Sequence, residues 1–454
     1  MVPRTQDIVT VRALDAKIWA IAWPAIAANI SIPLLGLVDA ALLGHLDNSH
    51  HLAAVAIGGA VMSFLYWGFS FLRMGTTGEV ARASGAGNEE RALLALGRAG
   101  VLALGLAILL LALQVPLLSL GLAIMDPSPD LATTAFTYAQ VRLYSAPAVL
   151  LTYTAVGWFI GHQDTRWPMG IVIVTNVLNI GLDALFILGL GMASQGAALA
   201  TVIAEYLGLF LALYGLYRRG LPPINAEVWA ALRQLRAYLY LLRSNLHLFL
   251  RTLTLLFSFA FFTAAGEKLG ANVVAANAIM MQFLLFAAFA LDGFAYAAEG
   301  LAGEALGRGE ARRFYRVSAR CARWTAISAL CISGLILLGR GTLFPLLTDL
   351  AEILDLMHRH GLWLAVLPLV AAPSYLLDGL FIGAGATRAM MLSMLLSTLA
   401  VYLPCWYLTQ GWGNHGLWLA FTLFNAARGI TMGLAYAAFT RQGRWLDWST
   451  DPST

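Results

Sequence analysis

The chain has 454 residues, 60% of them hydrophobic and only 11% charged, with a formal net charge of +4. Soluble domains carry about 25% charged residues, so this composition excludes a soluble enzyme or binding module and places the chain in a membrane. Cys321, Cys331 and Cys405 fall in or beside apolar runs, and an odd number of such thiols fits neither a disulfide framework nor a metal motif.

About twelve apolar stretches are long enough for the ~20 helical residues that a hydrocarbon core requires. In chain order they cover 17–43, 51–73, 93–116, 133–160, 168–190, 195–217, 240–266, 274–304, 320–346, 358–384, 390–409 and 415–440. Backbone groups in lipid must be bonded within their own segment, so these are helices, and the alternation of membrane-barrel strands is absent. The polar start MVPRTQDIVTVRALDAK argues against a cleavable signal peptide.

Arginines cluster before the first span and after the second, fourth, sixth, eighth and twelfth, whereas Asp47, Asp126, Asp130, Asp349, Glu352 and Asp355 occupy the opposite loops. The positive-inside rule then puts both termini in the cytoplasm. The positive net charge reflects that topology, and no nucleic-acid partner is expected.

The chain repeats itself. FIGHQDTR at 159–166 recurs as FIGAGATR at 381–388, an offset of 222. The same offset matches Gly78, Gly85, Gly87 and Arg91 to Gly300, Gly307, Gly309 and Arg313. Six spans per half mean that both halves enter the membrane from the same side, as in parallel-repeat transporters. The expected organisation is an amino-terminal six-helix lobe at 1–217, a cytoplasmic linker at 218–243 broken by Pro222 and Pro223, and a carboxy-terminal six-helix lobe at 244–454. The fold class is an all-α polytopic membrane protein, two six-helix bundles related by a pseudo-two-fold axis along the membrane normal.

Asp39 and Asp183 are carboxylates within otherwise apolar spans. Such a residue costs roughly 2.5–3.5 kcal/mol on insertion scales and marks an ion pathway, a proton relay or a buried pair. Counted from the outer ends of their helices, both lie ~8–10 Å deep at ~1.5 Å per residue. Thr201 lies at the same depth, with Asn179 one turn below Asp183 and Asn176 near a further turn. Two carboxyls held together in a dry site can exchange a proton near neutral pH; the same oxygens can instead hold a hard monovalent cation, or serve as a fixed hydrogen-bond cluster. The repeat mate of Asp39 is Phe261, and Asp183 maps onto Leu403 or Cys405. The pair is therefore peculiar to the first half, which favours a functional role over an architectural one.

The second half has its own buried charges, with Arg251, Asp292 and Arg428 at similar depth, beside Glu299 and Asp378. These read either as neutralising ion pairs or as part of a substrate cavity. Tyr138, Tyr153 and Trp158 could present an aromatic surface to lipophilic cations or simply pack. Pro24 lies 15 residues before Asp39 and Pro33 six; they are tolerated kinks or a bend that responds to Asp39.

LVDAALLGHL in the first helix, GWFIGHQDTRWP after the fourth and LDGFAYAAEGLAGEALGRG in the eighth resemble the multidrug and toxic compound extrusion (MATE) family, most closely its bacterial DinF-type branch. The resemblance implies a V-shaped pair of six-helix bundles in the bacterial inner membrane, acting as a monomer without cofactor. It implies export of lipophilic, mostly cationic small molecules by cation antiport through alternating access, with H+ preferred to Na+ as coupling ion. Asp39 matches the branch's coupling carboxylate, Pro24 the proline that bends that helix, and Asn179, Asp183 and Thr201 its proton or cation network. The carboxylate pair that other branches place in the seventh and tenth helices has no clear match.

Two further readings stay open. One is a flippase for lipid-linked or amphipathic molecules, which would want a more cationic cavity than Arg251 and Arg428 supply. The other is a membrane enzyme, for which no HExxH, paired His boxes or nucleophile–base spacing is present.

Overall fold

In a computed structural model describing residues 4–44, 50–221 and 226–446, the apolar runs are helical and no described residue forms a strand. The Asp39 side chain lies outside the described residues, as do Asp47 and the expected linker prolines Pro222 and Pro223.

The first half comprises α1 (Arg4–Gly44), α2 (His50–Gly68), α3 (Phe71–Gly85), α4 (Glu89–Ala112), α5 (Gln114–Met125), α6 (Pro129–Leu143), α7 (Ala146–Gly161), α8 (Arg166–Asp183), a π-helical segment (Ala184–Gly189) and α9 (Ala193–Arg218). After α10 (Ala226–Leu232), the second half comprises α11 (Leu235–Glu267), α12 (Ala271–Gly307), α13 (Ala311–Leu343), α14 (Ala351–Ala384), α15 (Thr387–Leu396), a second π segment (Ser397–Tyr402), α16 (Leu403–Thr409) and α17 (Asn414–Arg441).

Among the described residues, nine helices are long and apolar enough to cross a membrane, with α2 and α3 together as one of them. The pair α6 and α7, bent by 51°, makes a tenth. With the long helices α1 and α17, the total agrees with the twelve expected spans.

The duplication is written in the packing. In the first half a Cβ on Gly157 would stand 2.5 Å from the Arg73 carbonyl oxygen, and one on Gly161 would stand 3.0 Å from that of Thr77. In the second half Gly379 meets the Ala295 oxygen at 2.4 Å and Gly383 the Glu299 oxygen at 2.6 Å. All four contacts correspond at the offset of 222. Each is a small-xxx-small face letting two helix backbones approach. The turn after each of these helices needs a left-handed residue, Gln163 at φ 63° after α7 and Gly385 at φ 78° after α14. Glycine takes that conformation without steric cost; glutamine does not.

By contact the chain forms two compact units. One comprises Ala27–Val80 and Asn88–Tyr238; the other comprises Met1–Ile26, Ala81–Gly87 and Leu239–Thr454. They are called here the amino and carboxy units. The division falls inside α1, two residues past the buried Pro24.

Within the carboxy unit the start of α1 is tight against α12, where a Cβ on Gly293 would meet Ile26 Cγ1 at 2.4 Å and the Ala22 oxygen at 2.8 Å. The last turn of α3 crosses the end of α12 in the same unit. Ala81 and Gly303, repeat mates, face each other so closely that a Cβ on Gly303 would stand 2.5 Å from that of Ala81. On either side Gly85 abuts the Glu304 carbonyl oxygen (2.3 Å from a built Cβ) and Gly307 abuts that of Arg82 (2.1 Å). These two contacts exchange under the offset, as at a two-fold axis. The aromatic core of this unit gathers Phe262, Phe344, Tyr402, Trp418, Phe421 and Phe424.

Candidate functional site

In the amino unit, α8 carries Asn179 and Asp183 on one face, and they are 1% and 0% exposed. Asn179 Nδ2 donates to Asp183 Oδ2 at 2.6 Å. The four-residue spacing makes this contact local to the helix. Immediately after Asp183 the backbone widens into the π segment. Such segments are rare and recur at functional sites.

Asn176, the next polar residue down α8, reaches the neighbouring helix. Its Nδ2 donates to both the Ser31 carbonyl oxygen (3.2 Å) and Ser31 Oγ (3.1 Å) of α1. Thr201 on α9 is buried, its hydroxyl donating to the Ala197 carbonyl oxygen at 2.9 Å. One turn further along, one apolar cluster joins Leu43 of α1, Tyr138 of α6, Ile187 of the π segment, and Ala197 and Ala198 of α9. Ile187 is four residues after Asp183, and Ala197 four before Thr201. The faces of α8 and α9 that bear these two polar residues therefore adjoin a shared cap.

A second buried polar network in this unit escapes a reading of α6 as plain packing. At the break between α6 and α7 the Arg142 carbonyl also accepts from Ser145 Oγ at 2.7 Å and from the Tyr66 hydroxyl at 3.2 Å. The Arg142 guanidinium donates to the Tyr138 hydroxyl (3.1 Å) and pairs with Glu205 of α9 (3.3 Å). Glu205 lies one turn below Thr201 on the same face. Its sequence signal is a carboxylate in an apolar span, the same signal that singles out Asp39 and Asp183.

The expected aromatic surface is mostly interior. Tyr138 packs against Gly58, where a Cβ would approach its ring to 2.6 Å. Trp158 is buried and stacks on His162 with ring centroids 4.0 Å apart. Tyr153 is half-buried.

In the carboxy unit Arg251, Asp378 and Arg428 form one cluster. Arg251 Nη2 donates to Asp378 Oδ2, and Arg428 Nη2 donates to the same oxygen at 3.0 Å. Arg428 Nη1 reaches Asn425 Oδ1 at 3.2 Å, and its guanidinium lies over the Tyr375 and Phe424 rings. Asp292 is half-buried and close enough to act electrostatically on the Tyr375 hydroxyl, as do Arg251, Asp378 and Arg428.

The MatE family model matches the chain twice, over residues 24–185 and 248–408. The chain belongs to the MatE family. The double match runs through both repeats and includes the duplicated glycine contacts.

DNA damage-inducible protein F of Escherichia coli K12 is 39% identical over 438 residues, covering 95% of this MatE chain and 94% of the relative. Multidrug resistance protein MdtK of Proteus mirabilis is 25% identical, over 91% and 93% of the two chains. Among solved structures, a mutant of the Vibrio cholerae MATE transporter VcmN superposes with a TM-score of 0.83 at 23% identity, over 96% and 99%. A MOP superfamily transporter from Pyrococcus furiosus gives 0.82 at 20% identity, over 96% and 97%. At these identities the structural likeness carries the fold, which is the all-helical two-lobe MATE fold. Family membership makes the chain a multi-pass membrane transporter rather than an enzyme.

Proposed function

We propose that this MatE chain is a secondary active exporter of lipophilic or cationic small molecules, working by alternating access and driven by cation antiport. The observation that carries the reading is the buried Asn179–Asp183 pair at the π segment of α8, 2.6 Å between donor and acceptor, in a chain related to multidrug transporters. A transporter needs a polar group in the membrane that can be loaded and unloaded. A carboxylate bonded to a neutral amide is suited to that.

In this reading Asp39, Asp183, Asn179 and Thr201 form the coupling site beneath the Leu43–Ile187–Ala197 cap, with Asn176 anchoring α8 to α1. Pro24 is the hinge, since it lies two residues before the point at which α1 passes from one unit to the other. The coupling ion is H+, with Na+ on the same oxygens as the competing option. Both termini face the cytoplasm, the membrane is the bacterial inner membrane, and the transporter is a monomer whose lobes correspond broadly to 1–217 and 244–454. Tyr153 and Asp292, both half-buried, are the cavity-side candidates. Arg251 and Arg428 are both committed to Asp378, which leaves little positive charge to hold the pyrophosphate of a lipid-linked flippase substrate.

The test is dye efflux from proteoliposomes under an imposed pH gradient and, separately, an imposed sodium gradient. Efflux under the pH gradient alone, lost in Asp39→Asn, is the expected result. Wild-type efflux in Asp39→Asn would remove Asp39 from the coupling site, and a response to sodium alone would replace the proton. Lipid scrambling without dye efflux would favour the flippase.

A further inference from the structure

A pocket of about 450 Å³ opens between the start of α1 and the start of α13, both in the carboxy unit. Its walls are Val11, Ala13, Leu14 and Lys17 on one side and Glu310, Arg313, Arg316, Ala319 and Arg320 on the other. No residue of the candidate coupling site touches it.

Among the described residues, cations outnumber carboxylates around the pocket. Asp15 is paired with Arg320. Glu304 takes Lys17 (3.4 Å), Arg308 (2.6 Å) and Arg313 (3.3 Å), and Glu310 takes Arg313 at 3.6 Å. Five cations, with Arg316 included, thus face three carboxylates. Arg316 is exposed and has no ion-pair partner among the described residues. The other cations are each paired, so among the described residues the pocket presents a positive wall in which Arg316 alone is without an ion pair.

Its depth is marked by tryptophans. One turn beyond Asp15 on α1 is Trp19, and one turn beyond Arg320 on α13 is Trp324; their rings meet edge-on at 5.3 Å. Trp324 Nε1 donates to Asp15 Oδ1 at 3.1 Å, tying the aromatic layer to the charged one. A further turn along α1, Trp23 is 62% exposed. Tryptophan collects at the membrane–water interface, which sets the pocket at head-group level with an aromatic, lipid-exposed stripe leading from it into the hydrocarbon.

We propose that this pocket binds the phosphate head group of an anionic phospholipid, with Arg316 as its main contact and an acyl chain along Trp19 and Trp23. Basic pockets between membrane helices take such head groups. The apolar stripe distinguishes a lipid from free phosphate, which would use the charged wall alone.

The experiment is native mass spectrometry of the full-length protein titrated with phosphatidylglycerol or phosphatidylcholine. Phosphatidylglycerol should bind more tightly, and Arg316→Ala should weaken it about fivefold while leaving phosphatidylcholine unchanged. Arg316→Lys should restore most of the loss, and Trp23→Ala should weaken both lipids. Arg359→Ala, in an exposed pair with Asp355 far along the sequence, should change nothing. Wild-type phosphatidylglycerol affinity in Arg316→Ala overturns the proposal. So does full displacement of the lipid by inorganic phosphate, which would make the pocket a phosphate site, and an equal loss in Arg359→Ala, which would reduce the preference to overall charge.

Discussion

Asp183 and Asp378 are both aspartates buried in apolar helices, and their surroundings differ in kind. Asp183 Oδ2 accepts from a neutral amide on its own helix, and α8 carries no cation beyond Arg166 at its start. Asp378 Oδ2 accepts from two guanidinium groups on two other helices. A carboxylate shared by two arginines compensates both, and removing it would leave two cations buried without an anion. The bond from Asn179 to Asp183 commits no cation. Under the proposed reading, loading and unloading would fall to the amino unit and fixed electrostatics to the carboxy unit.

The largest effect expected from that contrast is on transport. Asp183→Asn should reduce ion-driven efflux to the level of empty vesicles while the purified protein melts at or above the wild-type temperature, since the amide still accepts from Asn179. Gradient-driven efflux at wild-type rate would break the contrast at its functional end.

Asp378→Asn should act the other way round, by stability first. It leaves Arg251 and Arg428 buried without their shared anion, a loss of roughly 3–5 kcal/mol for a broken buried pair. Thermal unfolding in detergent should show a clear drop, partly recovered in Asp378→Asn combined with Arg251→Met. A melting temperature equal to that of Asp183→Asn would erase the distinction.

Glu205→Gln tests an intermediate case, because the Arg142 and Glu205 side chains are 16% and 19% exposed. Removing the carboxylate should cost about 2 kcal/mol, below the fully buried case, since a group left unsatisfied there is partly solvated. Unfolding midpoints of this variant and Asp378→Asn, compared side by side, should rank in that order.

The smallest effect lies outside the membrane spans. The Arg320 guanidinium bonded to Asp15 holds its carboxyl below the ordinary value of 3.8, against a smaller opposing push from burial. A carboxyl lowered on folding stabilises the protein above that ordinary value, and the contribution fades as the pH falls through the folded value. Asp15→Asn should therefore lose at most ~1 kcal/mol at neutral pH, and the difference from wild type should vanish in strong acid. A gap that persists at low pH would mean that packing, not charge, accounts for it.

The twelve-span count, the duplication and the family are legible in the sequence because each leaves a periodic or collinear trace. The Asn179–Asp183 bond is legible for the same reason, a four-residue spacing on one helix. Arg142 with Glu205 and Arg251 with Asp378 join residues 63 and 127 positions apart, and no local period encodes such a meeting. The charges are conspicuous in the apolar spans, but their partners are set by tertiary packing. The π segment after Asp183 is likewise silent, because its sequence ALFILG fits an ordinary helix. Trp158 is open in the sequence between an aromatic surface and plain packing, and its ring is buried.

The crossing of α3 over α12 bears on ancestry. At its centre Ala81 meets Gly303, which is its own copy in the other half. Before duplication a single codon would have set both sides of that contact, so any gain of a methyl group would have been counted twice. Only after the gene was duplicated could the two sides come to differ as alanine and glycine. The asymmetry at this point is a trace of divergence between the copies, and substitutions at the two positions should compensate each other along the lineage.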